Sequence, residues 1–81
     1  MYKSLPLLPL LLLFANPSLA LSKAEVRAII EAAYPGARIT EIEREIWKGQ
    51  KIYEVDFRHD GRKLEGIIGL DGDILSVHID D

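Results

Sequence analysis

The chain contains no cysteine, which excludes a disulfide framework, a thiolate metal site and lipid attachment to a cysteine behind a leader. Basic residues are outnumbered, ten Lys and Arg against thirteen Asp and Glu. Nucleic acid and anionic membrane surfaces both call for clustered positive charge, so neither suits this chain as a partner. Glycine is dispersed: Gly61, Gly66, Gly69 and Gly72 lie among strand-like residues with no helix following, so no phosphate-cradling loop is present. The longest apolar run, Leu5 to Ala15, has eleven residues and includes Pro6 and Pro9. A membrane span needs about 20.

That run has another reading. Lys3 gives a short positive start, and Ser18-Leu19-Ala20 places small residues at the first and third positions before a cut. This is the layout of a secretory signal peptide over residues 1–20, cleaved after Ala20, with a mature domain over residues 21–81. Loss of Lys3 leaves nine basic against thirteen acidic side chains, a formal charge of −4. The expected location is periplasmic or secreted, with no stable membrane insertion once the leader is gone. A domain of this size buries a modest share of its surface.

Ser22-Lys23-Ala24-Glu25 has the spacing of a capping box, in which the Ser22 hydroxyl and the Glu25 carboxylate each accept from the other's backbone amide. Val26, Ile29, Ile30 and Ala33 follow at helical spacing and make one apolar stripe. Tyr34-Pro35-Gly36 ends the helix, because the residue before proline avoids helical geometry. From Arg38 onward the period is two. Breakers at Gly49-Gln50, Asp60-Gly61 and Asp71-Gly72 suit two-residue hairpin loops. Three such loops predict four antiparallel strands in sequence order.

A two-residue loop also fixes register. The first sets Trp47 opposite Ile52, Ile46 opposite Tyr53 and Ile42 opposite Phe57. The second sets Phe57 opposite Leu64, Val55 opposite Gly66 and Tyr53 opposite Ile68. The third sets Ile68 opposite Leu75, Gly66 opposite Val77 and Leu64 opposite Ile79. All three agree on one apolar face, to which Ile42, Ile46, Leu75 and Ile79 belong, as the seat for the helix stripe. Gly66 in its middle allows close approach by a small helix residue such as Ala33. Arg44 is the one charge on that face; on an edge strand it guards against pairing with other chains, its stem along the core and its head in water. The expected fold class is therefore α+β, one N-terminal amphipathic helix packed on a four-stranded antiparallel meander sheet.

The opposite face collects Glu43, Glu45, Glu54, Asp56 and Glu65, with Glu43 facing Asp56 and Glu45 facing Glu54. Like charges directly opposite destabilise a sheet. One reading is a solvated face with screened repulsion. The other is a docking surface for a basic partner segment, with Trp47, Ile52 and Ile74 as its apolar anchor, since aromatic residues concentrate at binding hot spots. Catalytic arrangements are thin: Ser76 and His78 share a side with only Glu65 to orient the histidine, short of a nucleophile, base, orienter and oxyanion donors. No catalytic residue, no metal ligand set and no cofactor is assigned. Asp71-Gly72-Asp73 lacks the remaining ligands of a calcium loop and reads as a turn. His59 reads as a solvated turn residue.

The capped helix ending in Tyr34-Pro35-Gly36-Ala37, the first strand rich in Glu and Ile, the Tyr53-Glu54-Val55 strand and the closing Asp71-Gly72-Asp73-Ile74-Leu75 hairpin together resemble the PepSY domain. The resemblance runs from about Ser22 to about Ile79. It implies a non-enzymatic module of the kind found in propeptides of thermolysin-like metallopeptidases and in cell-envelope proteins, which inhibits or regulates a peptidase by binding it. The implied partner is a protein, a peptidase or a basic peptide segment. The family often has an acidic residue before its last turn, and Gly69 stands there instead. A cation or small-ligand sensor using the acidic face is the alternative.

Overall fold

The computed structural model describes residues 21–81; the expected signal peptide lies outside them. A helix, α1 (Lys23–Ala33), precedes four strands, β1 (Arg38–Trp47), β2 (Gln50–His59), β3 (Arg62–Gly69) and β4 (Ile74–Ile79), in one antiparallel sheet of order β1-β2-β3-β4. The α+β meander expected from the periodicity is the fold.

The capping box forms: Ser22 Oγ accepts from Glu25 N at 3.1 Å and Glu25 Oε1 from Ser22 N at 2.7 Å. Two of the four free amides of a helix start are thereby satisfied. At the other end Tyr34 N donates to Ile30 O, and Gly36, at φ +88°, turns the chain toward β1. Val26 and Ile30 are fully buried on Tyr53, Val55, Phe57 and Ile68, with Ile29 packed alongside. Ala33 is exposed, so the stripe ends one turn earlier than its spacing predicts. Ile30, not Ala33, uses the space at Gly66: a Cβ there would lie 3.6 Å from Ile30 Cδ1 and 3.5 Å from Phe57 Cε1.

The three hairpins differ in how closely they follow the two-residue rule. Asp60 and Gly61 both have positive φ, +53° and +76°, the type I′ geometry that matches strand twist. β2 and β3 accordingly pair as predicted, Tyr53 with Ile68, Val55 with Gly66 and Phe57 with Leu64. In the first hairpin the loop is Lys48-Gly49, at φ +50° and +79°, one residue earlier than Gly49-Gln50. Every β1 partner from Glu41 to Trp47 moves by two, so Tyr53 faces Arg44 and Val55 faces Ile42. A shift of two preserves the faces. A bulge at Thr40 then brings Ile39 opposite Phe57.

The third loop, counted inside the bonded pair Gly69 and Asp73, has three residues. Gly72 N donates to Gly69 O, Gly69 N to Asp73 O, and Gly72 has φ +99°, a turn closed by a left-handed glycine. The odd loop length sets Ile74 opposite Ile68, and a bulge at Leu75 restores the predicted register from Ser76 onward. Ile74 and Leu75 therefore exchange the faces expected of them. A Cβ placed on Gly69, an outer-face residue, would meet Leu75 Cδ1 at 3.7 Å.

Three residues assigned to the core are exposed: Ile46 at 65%, Leu75 at 40% and Ile79 at 53%. Ile46 pairs with Lys51 at the hairpin end, Leu75 has changed faces, and Ile79 lies on the far edge strand. One short helix packs on the middle of the sheet and leaves its corners open. Arg44 stands on the helix-side face of the edge strand as expected, but its head is held on Tyr53 rather than free in water, with its guanidinium 5.5 Å from the Tyr53 ring and Nε donating to Tyr53 Oη. Tyr53 Oη in turn donates to Leu21 O. His59 is not a solvated turn residue: its Nε2 lies 3.0 Å from Pro35 O, and its ring stands edge-on to Tyr34 at 5.5 Å. It fastens the end of α1 to β2.

Candidate functional site

Strand alternation sends the second set of side chains to the face away from α1. Moving along the strands, this outer face is graded. Arg38, Arg58 and Lys63 make a basic row at one end. Next come Glu41, Asp56, Glu65 and His78, and after them Glu43, Glu54, Ile67 and Ser76. Beyond these Glu45 faces Ile52, which faces Gly69, and Trp47 closes the face beside Gln50.

All five predicted carboxylates share this face, in changed pairs. Glu43 faces Glu54, and Asp56 faces Glu41, which pattern reading omitted. The alternation Glu41-Glu43-Glu45 was its signal, hidden by the bulge beside it. Ligand oxygens of Glu43, Glu45 and Glu54 lie within 4.8 Å of one another, as do those of Glu54, Asp56 and Glu65. Crowded like charges favour keeping a proton. Glu54 is pushed up to about 7, by burial first, then by a hydrogen bond shared with Glu65, then by the charges of Glu65, Asp56 and Glu45. Burial is also the largest cause raising Asp56, followed by the charges of Glu65, Glu41 and Asp80, while Lys63 opposes. Glu41 is raised by its hydrogen bond and charge contact with Glu43.

Asp56 Oδ1 is buried and has no hydrogen-bond partner among the described residues. Glu65 Oε1 lies 2.9 Å from His78 Nε2, as their register predicts.

The apolar end differs from expectation. Trp47 is half-buried on the outer face, diagonal to Ile52, with Lys48 Nζ 4.7 Å from its ring centroid. Ile52 and Ile67 are buried, at 1% and 3% exposure, and so present no free surface. Ile74 has gone to the helix side, and Leu75 takes its place near Gly69. Two shallow hollows, of about 250 and 390 Å³, lie elsewhere, one between Arg38 and Arg58 at the Asp60-Gly61 turn, the other between α1 and β1. Among the described residues no helix is long and apolar enough to cross a membrane.

The family model PepSY, described as "Peptidase propeptide and YPEB domain", matches residues 20–68, more than half of the chain. No curated protein and no solved structure matches significantly. The match covers α1, β1, β2 and most of β3.

Proposed function

The chain belongs to the PepSY family, and from that membership we propose that it is a small exported, non-enzymatic binding module that inhibits or regulates a secreted or envelope peptidase. The observation that supports a docking role is the outer face, where six carboxylates from three adjacent strands share one surface. Their mutual repulsion opposes folding of the free domain, and a cationic segment laid across them relieves it. In this reading Glu41, Glu43, Glu45, Glu54, Asp56 and Glu65 receive basic side chains, and Trp47 with Leu75 supplies the apolar contact. The module works in the periplasm or outside the cell, after removal of residues 1–20.

Capture from envelope extract, followed by an activity assay on the recovered peptidase, tests the reading. Slower turnover with the native protein, and none of that effect with Trp47→Ala/Glu54→Gln, is the expected result. A peptidase indifferent to both proteins would refute it.

One observation favours a second reading, a divalent cation held by Glu54, Asp56 and Glu65: their oxygens already converge and Asp56 Oδ1 has no partner. Carboxylate oxygens suit calcium or magnesium, with water completing the shell. Calorimetric titration with each ion separates the readings, because only the second expects saturable heat and a rise in melting temperature without peptide.

A further inference from the structure

The two edges of the sheet are built differently. β1 carries Arg38, Glu41, Glu43, Arg44 and Glu45 along its length and is bulged at Thr40, devices that discourage pairing with another chain. β4 reads Ile-Leu-Ser-Val-His-Ile, with no carboxylate, lysine or arginine between Asp73 and Asp80. Among the described residues nothing pairs with its outer side.

The ladder shows which groups that side presents. Asp80 N donates to Lys63 O at 2.8 Å. Antiparallel pairs alternate between bonded and non-bonded, so Glu65–His78 and Ile67–Ser76 are bonded, while Val77 and Ile79 turn their N–H and C=O away from β3. At the other end Gly69 N donates to Asp73 O, so the next residue, Ile74, also points its backbone outward. The side chains of Ile74, Val77 and Ile79 all stand on the helix side, opposite Ile68, Gly66 and Leu64. Ile74 is 38% and Ile79 53% exposed. Unpaired backbone groups and uncovered apolar side chains thus lie along one line.

We propose that β4 is a strand-addition edge that receives an extended segment of another protein, apolar on its helix-side positions and basic at both ends. The termini of β4 specify the charge: Asp73 stands at its start, and Asp80 and Asp81 at its end. A second copy of this chain fits poorly. Antiparallel pairing of two β4 strands sets Asp80 and Asp81 of each copy beside Asp73 of the other, and parallel pairing sets each aspartate beside its own counterpart. Like charges at both ends destabilise either arrangement. An incoming strand with lysine or arginine at its ends meets attraction instead, gains main-chain hydrogen bonds at Val77 and Ile79, and covers the open row. This edge is separate from the acidic face, and the inference stands whether or not that face binds.

The probe is a short synthetic peptide of alternating valine and threonine with a lysine at each end, added to the isotopically labelled 81-residue chain. Amide shifts and slowed hydrogen exchange at Val77 and Ile79 are expected. Replacing the terminal lysines by glutamate weakens binding about tenfold, the sum of a few exposed ion pairs. Ile79→Pro removes one outward donor that the native ladder does not use, so it abolishes binding while circular dichroism shows an unchanged fold. Should that variant unfold, the exchange data on the native chain decide alone. Shifts confined to the outer face, equal affinity for both peptides, or β4 protection that exists without peptide and vanishes on dilution would each overturn the proposal.

Discussion

The two faces of the sheet are made by the same strands, yet one concentrates apolar residues and the other charge. On the helix side Tyr53, Val55, Phe57 and Ile68 are sealed by Val26 and Ile30. One residue away along the same strand, Glu54 and Asp56 hold their protons to higher pH than usual, because burial first and then the surrounding carboxylates disfavour their charge. The contrast separates residues that hold the domain together from residues that it carries at some cost in stability.

The largest expected effect that sharpens the contrast is Phe57→Ala or Ile30→Ala, each lowering stability by about 3 kcal/mol through the cavity left behind; urea unfolding measures it. For so small a domain such a loss approaches complete unfolding. Gly66→Val follows. A single Cβ meets its neighbours at 3.5 to 3.8 Å, which is ordinary contact, but further methyls press on Ile30, at a cost of about 1–3 kcal/mol. Gly66→Ala is expected to change the melting temperature little, and a large fall would show that the helix sits closer than these distances indicate.

On the outer face the prediction is one of pH. Glu54 ionises near 4.5 when unfolded and about 7 when folded. Between those values the folded chain holds a proton that the unfolded chain has lost. This contribution is therefore complete below about pH 4.5 and is lost as pH rises through about 7. Glu54→Gln should flatten that decline, with a difference on the order of 1 kcal/mol once solvent screening is allowed for. Parallel stability profiles for the two proteins would break the comparison. The smallest effect is Trp47→Ala, expected to change stability by no more than about 0.5 kcal/mol, as for an ordinary surface site, while removing partner capture. Substantial unfolding would place Trp47 with the structural residues instead.

Much of this division is legible in the sequence, and the places where it is not share one cause. The helix start follows from Ser22 and Glu25, and the β2–β3 register from Asp60-Gly61, because each depends on chemistry local to those residues. Bulges have no such signature. Thr40 and Leu75 each add one residue to a strand, and composition alone marks neither. Lys48-Gly49 competes with Gly49-Gln50 as a two-residue loop, and only the left-handed backbone at Lys48 decides between them. At the third turn two departures compensate: the extra loop residue reverses the alternation and the bulge at Leu75 reverses it back. Val77 and Ile79 reach their predicted partners, while Ile74 and Leu75, lying between the two, do not. The membership of the acidic face survived these errors, since a register error of two leaves parity intact. The apolar anchor did not, because Ile74 lies inside the reversed interval.

The strand order β1-β2-β3-β4 has a consequence for how the chain assembles. Each strand pairs with the one made just before it, through loops of two or three residues, and no crossover has to be threaded. Local connectivity of this kind lowers the entropic cost of reaching the transition state and favours rapid folding. The bond from Tyr53 Oη to Leu21 O spans 32 residues and ties the residue ahead of the helix cap to the second strand. Assembly can proceed hairpin upon hairpin, with the Tyr53 hydroxyl fastening Leu21, the first of the described residues.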